Sequence, residues 1–289
     1  MNRMTKTYNV NSPTFTVFPP REALRNDIEY FRVAEYAGTE GLAIKVCPNG
    51  LPGIVFQHNN CQSAIKNIVT NSGRIVRMPT LYIYGQVTEL AVMNFKSGPF
   101  TTIQAVLKPH ALKTLFDIDA STLTNGSMGF NEFAAEDLNT QLIESNNIQE
   151  CITHLTNFLL ARLKSAQPCD TLVEESLRFI HTNINSTSVK VKDLLEHLHI
   201  SERQLEKKFM QNVGVSPQFY IRVKRFNEAI RLMDTGQYER LGDVAYALHF
   251  HDQSHFIRDI KVFSGITPKS ISQKVNDFHH DQIGSSYLV

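Results

Sequence analysis

The stretch LGDVAYALHFHDQSHFIRDIKVFSGITPKSI, residues 241–271, decides how the C-terminal part of the chain folds. Leu241, Val244, Ala245 and Leu248 recur at helical spacing, and His249-Phe250-His251-Asp252 makes a turn. Phe256, Ile260 and Phe263 then line one face of a second helix, which Ser264-Gly265-Ile266-Thr267-Pro268 stops. The same order occurs upstream. Val191, Leu194, Leu195 and Leu198 line a short helix, Ile200-Ser201 supplies a turn and an N-cap, and Leu205, Phe209 and Met210 face inward on the next helix. Asn212-Val213-Gly214-Val215-Ser216-Pro217 stops that one. Pro217 and Pro268 lie 51 positions apart. A duplicated helix-turn-helix explains the spacing, whereas an arbitrary bundle has no reason to repeat turn, helix and stop in that order. Between the copies, Phe219, Tyr220, Val223, Phe226, Ala229, Ile230 and Met233 mark one long helix ended by Gly236. Ahead of them, Leu172, Val173, Leu177 and Ile180 line another.

Upstream of residue 108 the pattern changes. Short apolar runs at 14–18, 42–47, 53–57, 80–86, 90–95 and 101–107 are separated by turn clusters such as Pro48-Asn49-Gly50 and Ser97-Gly98-Pro99. They predict a sandwich or small barrel. Ala23, Leu24, Ile28 and Phe31 are spaced for one face of a short helix. Pro109 opens another through Leu112, Leu115 and Phe116, and residues 146–165 form a longer amphipathic helix that either packs on the strands or pairs with a second subunit. The polar segment 164–170 places a boundary near 168. The expected fold is α+β, with a sensory or dimerisation domain over 1–168 and an all-α domain over 169–289.

Composition narrows the function. The net charge is +1, so a nucleic-acid partner has to show as a local patch. Residues 201–231 carry one: seven bases against three acids, a net +4. Cys47, Cys61, Cys151 and Cys169 form no close pair and no metal-ligand spacing, which reads as reduced thiols in a cytoplasm. There is no run of about 18 apolar residues, so no membrane span is expected, and residues 1–20 hold no apolar run of signal-peptide length.

VKDLLEHLHISERQLEKKFMQNVGVSPQFYIRVKRFNEAIRLM, residues 191–233, together with 241–271, resembles the DNA-binding domain of AraC/XylS-type transcription regulators. Asp252-Gln253-Ser254-His255-Phe256, Lys261 and Gly265-Ile266-Thr267-Pro268 carry most of the likeness. It covers about 100 residues, as expected of a single domain. It implies two helix-turn-helix subdomains joined by a long helix, with recognition helices at roughly 201–210 and 252–262 entering adjacent major grooves. Two residues depart from the pattern. His249 stands where a glycine is usual, which implies a left-handed residue formed at some cost; Ile260 replaces a common phenylalanine in the core. Residues 46–56 and 95–116 are similar, more weakly, to a cupin-like branch of N-terminal domains in this family. The resemblance further implies double-stranded DNA, RNA polymerase and a small-molecule effector as partners, a homodimer, and an activator's role.

The outward faces supply the candidate DNA contacts. On the first recognition helix, Arg203, Glu206 and Lys207 lie away from Leu205 and Phe209. Arg suits guanine, Glu suits cytosine, and Lys suits guanine or phosphate. On the second, His251, Gln253, Ser254, His255, Ile257, Arg258 and Lys261 are candidates: Gln suits adenine and Ile a thymine methyl. Asp252 fits an N-cap better than a base contact, and His255 fits a structural or phosphate role. Arg222 and Lys224, on the connecting helix, are expected to meet phosphates. No catalytic, cofactor or metal site is expected: the chain has no HExxH, P-loop, GxGxxG or GxSxG. Two alternatives stay open. One is a catalytic or metal-binding N-terminal domain fused to a DNA-binding domain. The other is a regulator whose N-terminal domain serves protein contacts alone. A cavity of roughly 300 Å³ or more with a few converging polar groups would favour an effector.

Overall fold

The computed structural model describes residues 12–59, 61–130, 136–236, 238–273, 278–281 and 284–288. The N-terminal half is built from β1 (Thr14–Phe18), β2 (Ile28–Tyr36), β3 (Ala43–Val46), β4 (Gly53–His58), β5 (Ile65–Thr70), β6 (Ile75–Val76), β7 (Leu81–Tyr84), β8 (Ala91–Phe95), β9 (Phe100–Leu107) and β10 (Ser127–Gly129). Helix α1 (Ala111–Phe116) follows β9, and α2 (Glu136–Glu144) and α3 (Ile148–Leu163) follow β10. Two six-stranded antiparallel sheets result, in the orders β1-β2-β9-β4-β7-β10 and β11-β12-β3-β8-β5-β6. The last two strands, β11 (Phe278–Asp281) and β12 (Gly284–Leu288), come from the C-terminal end of the chain.

The first sheet is covered on both faces, so β4 reads as a continuous apolar run and is buried almost throughout. Ile54, Phe56, Ile83, Ile103 and Ala105 face α1 and α3, while Val55, Tyr82 and Phe100 face the second sheet. The expected barrel is not formed. No strand pairing joins the two sheets among the described residues, so they pack as layers. The short helix expected from Ala23, Leu24, Ile28 and Phe31 is also absent. Only Glu22–Leu24 turns, as a 3-10 helix, and Ile28 and Phe31 belong to β2. A register shift between Ile28 and Tyr30 puts an extra residue into that strand, so Ile28 and Phe31 both reach the helix-covered core. That irregularity mimics a helical spacing.

The C-terminal half is helical from α4 (Thr171–Asn183) through α5 (Val191–Leu198), α6 (Glu202–Val213), α7 (Pro217–Thr235), α8 (Leu241–Ala247), α9 (Gln253–Ser264) and α10 (Pro268–Gln273). The first helix-turn-helix has a core of its own, built on Val173, Ile180, Leu194, Leu205, Phe209 and Tyr220. The second is built on Phe226, Met233, Val244, Phe256, Ile260 and Phe263, and it also takes in Cys47, Leu90 and Tyr287. β12 pairs with β3 through Ser286 to Val46, Tyr287 to Lys45 and Leu288 to Ile44. This return of the chain to the second sheet was not part of the sequence reading.

Candidate nucleic-acid interface

Both turns and both recognition helices repeat in detail. His199 and His249 have φ of 53° and 54°, so each helix-turn-helix turns on a left-handed histidine. Ser201 caps α6 by accepting from the Gln204 amide at 3.3 Å. Asp252 caps α9 by accepting from the His255 amide at 2.7 Å. That bond, with one from His251, holds the Asp252 carboxyl below its usual range. Gly214 and Gly265 close the two helices at φ of 90° and 75°.

On α6, Leu205 and Phe209 are fully buried, Arg203 and Lys207 are exposed, and Glu206 is partly exposed. On α9, Phe256 and Ile260 are fully buried, while His251, Gln253, Ser254, Ile257, Arg258 and Lys261 are exposed. His255 is half-buried. Its Nε2 lies 3.6 Å from Asp259 Oδ2, and its ring meets Phe250 edge-on.

The connecting helix differs from expectation. The Arg222 guanidinium meets Asp259 twice, with Nη2 to Oδ1 at 2.8 Å and Nε to Oδ2 at 3.4 Å. Asp259 is 1% exposed, so this pair ties α7 to the inner side of α9. Lys224 is turned to the N-terminal half: its Cδ would lie 3.5 Å from a Cβ placed on Gly50. Burial there holds its ammonium below the usual lysine range, against the pull of Glu228 and Glu29. Most of the other bases in the +4 patch are engaged as well. Lys208 pairs with Asp170, Arg231 pairs with Glu228 at 2.7 Å, and Arg225 donates to the Val189 carbonyl at 3.1 Å. Of the seven, Arg203, Lys207 and Arg231 are exposed, and Arg231 is already held by Glu228. A count of charges reports composition; ion pairing decides how much of it reaches solvent.

Asp259 was missed by sequence reasoning. Its signal was legible, since 256, 259, 260 and 263 share one helical face and an acid among three core residues needs a partner.

The sheets enclose a cavity of about 220 Å³, with Arg32, Val46, Tyr82, Met93, Gln104 and Ser286 among its walls. It is smaller than the size set out from sequence. Polar groups do converge on it: Gln104 donates to the Tyr84 hydroxyl, and the Arg32 guanidinium lies 4.3 Å from the Phe15 ring centre. Burial pushes the Cys47 thiol up to about 12, and burial with nearby carboxylates does the same at Cys169. Neither is a ready thiolate nucleophile. Among the described residues, no group of three His, Cys, Asp or Glu is placed to hold a metal ion, and no helix is long and apolar enough to cross a membrane.

A family model described as "Helix-turn-helix domain" matches residues 194–274, and one described as "Domain of unknown function (DUF6597)" matches 16–129. The chain is 25% identical over 135 residues to the Arabinose operon regulatory protein of Escherichia coli (strain K12), covering 44% of this chain and 46% of that one. It is 25% identical over 148 residues to the Uncharacterized HTH-type transcriptional regulator YisR of Bacillus subtilis (strain 168), covering 50% of each. The chain thus spans about half the length of the curated relatives it matches. The crystal structure of ToxT from Vibrio cholerae O395 is similar with a TM-score of 0.47 and 12% identity, over 84% of this chain and 96% of that one. With the duplicated unit built as its sequence requires and a helix-turn-helix model matched over residues 194–274, the C-terminal part of the chain is similar to AraC/XylS-type transcription regulators.

Proposed function

We propose that this chain regulates transcription by sequence-specific binding to double-stranded DNA, with α6 and α9 read into successive major-groove segments. The observation that carries the reading is the repeat itself. Two equivalent helices are each capped at the start, buried on one face and open along the polar face. Arg203, Glu206 and Lys207 on α6, and Gln253, Ser254, Ile257 and Arg258 on α9, take the base-facing roles; His251 and Lys261 suit phosphates. Arg222 and His255 act through Asp259 to orient α9, and Lys224 belongs to the junction between the halves. Binding of Arg203→Ala and Gln253→Ala to a library of single-base substitutions at fixed salt tests the roles. Each should lose roughly 1–3 kcal/mol at one or two base positions and little on unrelated DNA. Equal weakening on every sequence would reassign them to phosphates.

A second part of the proposal is responsiveness to a small effector. The polar groups that converge on the apolar wall of the cavity support it, although the volume of about 220 Å³ falls short of the size set out from sequence. The partly covered Leu160 and Leu163 of α3 suit a homodimer. The contact with RNA polymerase enters on the family reading alone.

A further inference from the structure

The terminal strand β12 has its two faces in two different cores. In an antiparallel pair, opposed residues point to the same face and successive residues alternate. Ser286 opposes Val46, and Leu288 opposes Ile44. Ser286, Val46 and Ile44 line the cavity, and Leu288 packs in the core around it. Tyr287 opposes Lys45 and points the other way. Its ring is 2% exposed and lies in the core of the second helix-turn-helix, 5.4 Å from the Lys45 ammonium. Its hydroxyl donates to the Ser264 carbonyl at 2.7 Å. That carbonyl closes α9, where a helix has no internal donor left to offer.

Two other residues share this double position. Cys47 lines the cavity and belongs to the helix-turn-helix core. Leu90 sits in that core against Gly265, while its neighbours Glu89 and Ala91 line the cavity. The ladder holding β12 to β3 opposes three residue pairs, against four between β3 and β8. It is the shorter of the two ladders that β3 makes, so β12 is the less firmly held of the two neighbours of β3.

We propose that β12 is a coupling strand, through which the state of the cavity wall is passed by Tyr287 to the end of α9. The proposal rests on the effector reading only for what fills the cavity. A ligand shifts an equilibrium by binding its two states differently. Ser286 supplies that difference, because it is a cavity wall only while β12 is seated. Linkage then requires that loosening Tyr287 also loosens the wall.

Amide hydrogen exchange on the full chain tests this. Met93→Ala changes the cavity from β8, across β3 from β12, and Met93 lies in the inter-sheet core, not in the helix-turn-helix core. In the otherwise native chain it should speed exchange in the last turn of α9 by about threefold or more. With Tyr287→Ala added, Met93→Ala should no longer change that turn, the signature of coupling through one residue. Tyr287→Phe keeps the ring, drops the hydroxyl, and should retain part of the response. Ile68→Val, also on the cavity wall, replaces Met93→Ala if the latter does not fold. An unresponsive α9, or an equal response with and without Tyr287, overturns the proposal. Benzene serves as the cavity probe in a separate arm. Absence of added protection in β3 and β8 would remove the effector reading alone and leave the coupling result standing.

Discussion

Gly214 and Gly265 hold the same place in two copies of one unit, yet they rest on the N-terminal half in different ways. A Cβ on Gly214 would lie 2.8 Å from the Ala120 carbonyl oxygen, and the Thr124 hydroxyl donates to the Gly214 carbonyl at 2.5 Å. A Cβ on Gly265 would lie 2.7 Å from Leu90 Cδ2. The first unit docks through backbone polar groups outside its own core; the second takes Leu90, Cys47 and Tyr287 into its core. A second equivalent pair shows the same divergence. Lys208 on α6 pairs outward with Asp170, the N-cap of α4, while Asp259 at the matching place on α9 pairs inward with Arg222. Duplication copies a local pattern. Divergence then acts on the residues that meet the rest of the molecule, and here it leaves the second unit as the one built into the N-terminal half.

The largest expected effect comes from the cores. Phe209→Ala and Phe256→Ala should each cost about 3–5 kcal/mol, since both rings are fully buried. Only Phe256→Ala should also speed amide exchange in β3 and β12, because only its core includes residues of that sheet. Equal loosening of β3 by Phe209→Ala, read by hydrogen exchange and calorimetry, would break the comparison.

A smaller effect separates the two ion pairs. Arg222→Ala leaves Asp259 buried without its guanidinium and should cost about 1–3 kcal/mol. Lys208→Ala should cost under about 1 kcal/mol, since its pair with Asp170 is more exposed. Chemical denaturation of both variants checks the order, and a reversal would mean that the outer pair matters more to the fold than the inner one.

The caps should show the least difference, and so sharpen the comparison by control. Ser201→Ala should cost about 1 kcal/mol, as an ordinary N-cap does. Asp252→Asn keeps an acceptor for the His255 amide and should be near neutral. Thermal melts of the full chain measure both. A large loss from Asp252→Asn would show that its charge, not its cap, is what α9 needs.

The legible parts were those whose signals lie within a few turns of one element. Pro217 and Pro268, the caps at Ser201 and Asp252, and the stops at Gly214 and Gly265 are all read from neighbours in sequence and stand as expected, while the left-handed His249 follows from the family resemblance. Six runs of alternating or apolar residues became strands for the same reason. Tertiary structure alone decided the rest. β2 passed for a helix because one irregular residue changed its period. Arg222 and Lys224 counted as part of a basic patch, but their neighbours are Asp259, 37 residues away, and Gly50 in the N-terminal half. The closing of the cavity by Ser286 depends on a strand that pairs with Val46 at the opposite end of the chain. Periodicity and capping are local physics, set by backbone geometry over a turn or two. Ion pairing, sheet closure and docking depend on which distant surfaces meet, and no spacing along the chain encodes that encounter.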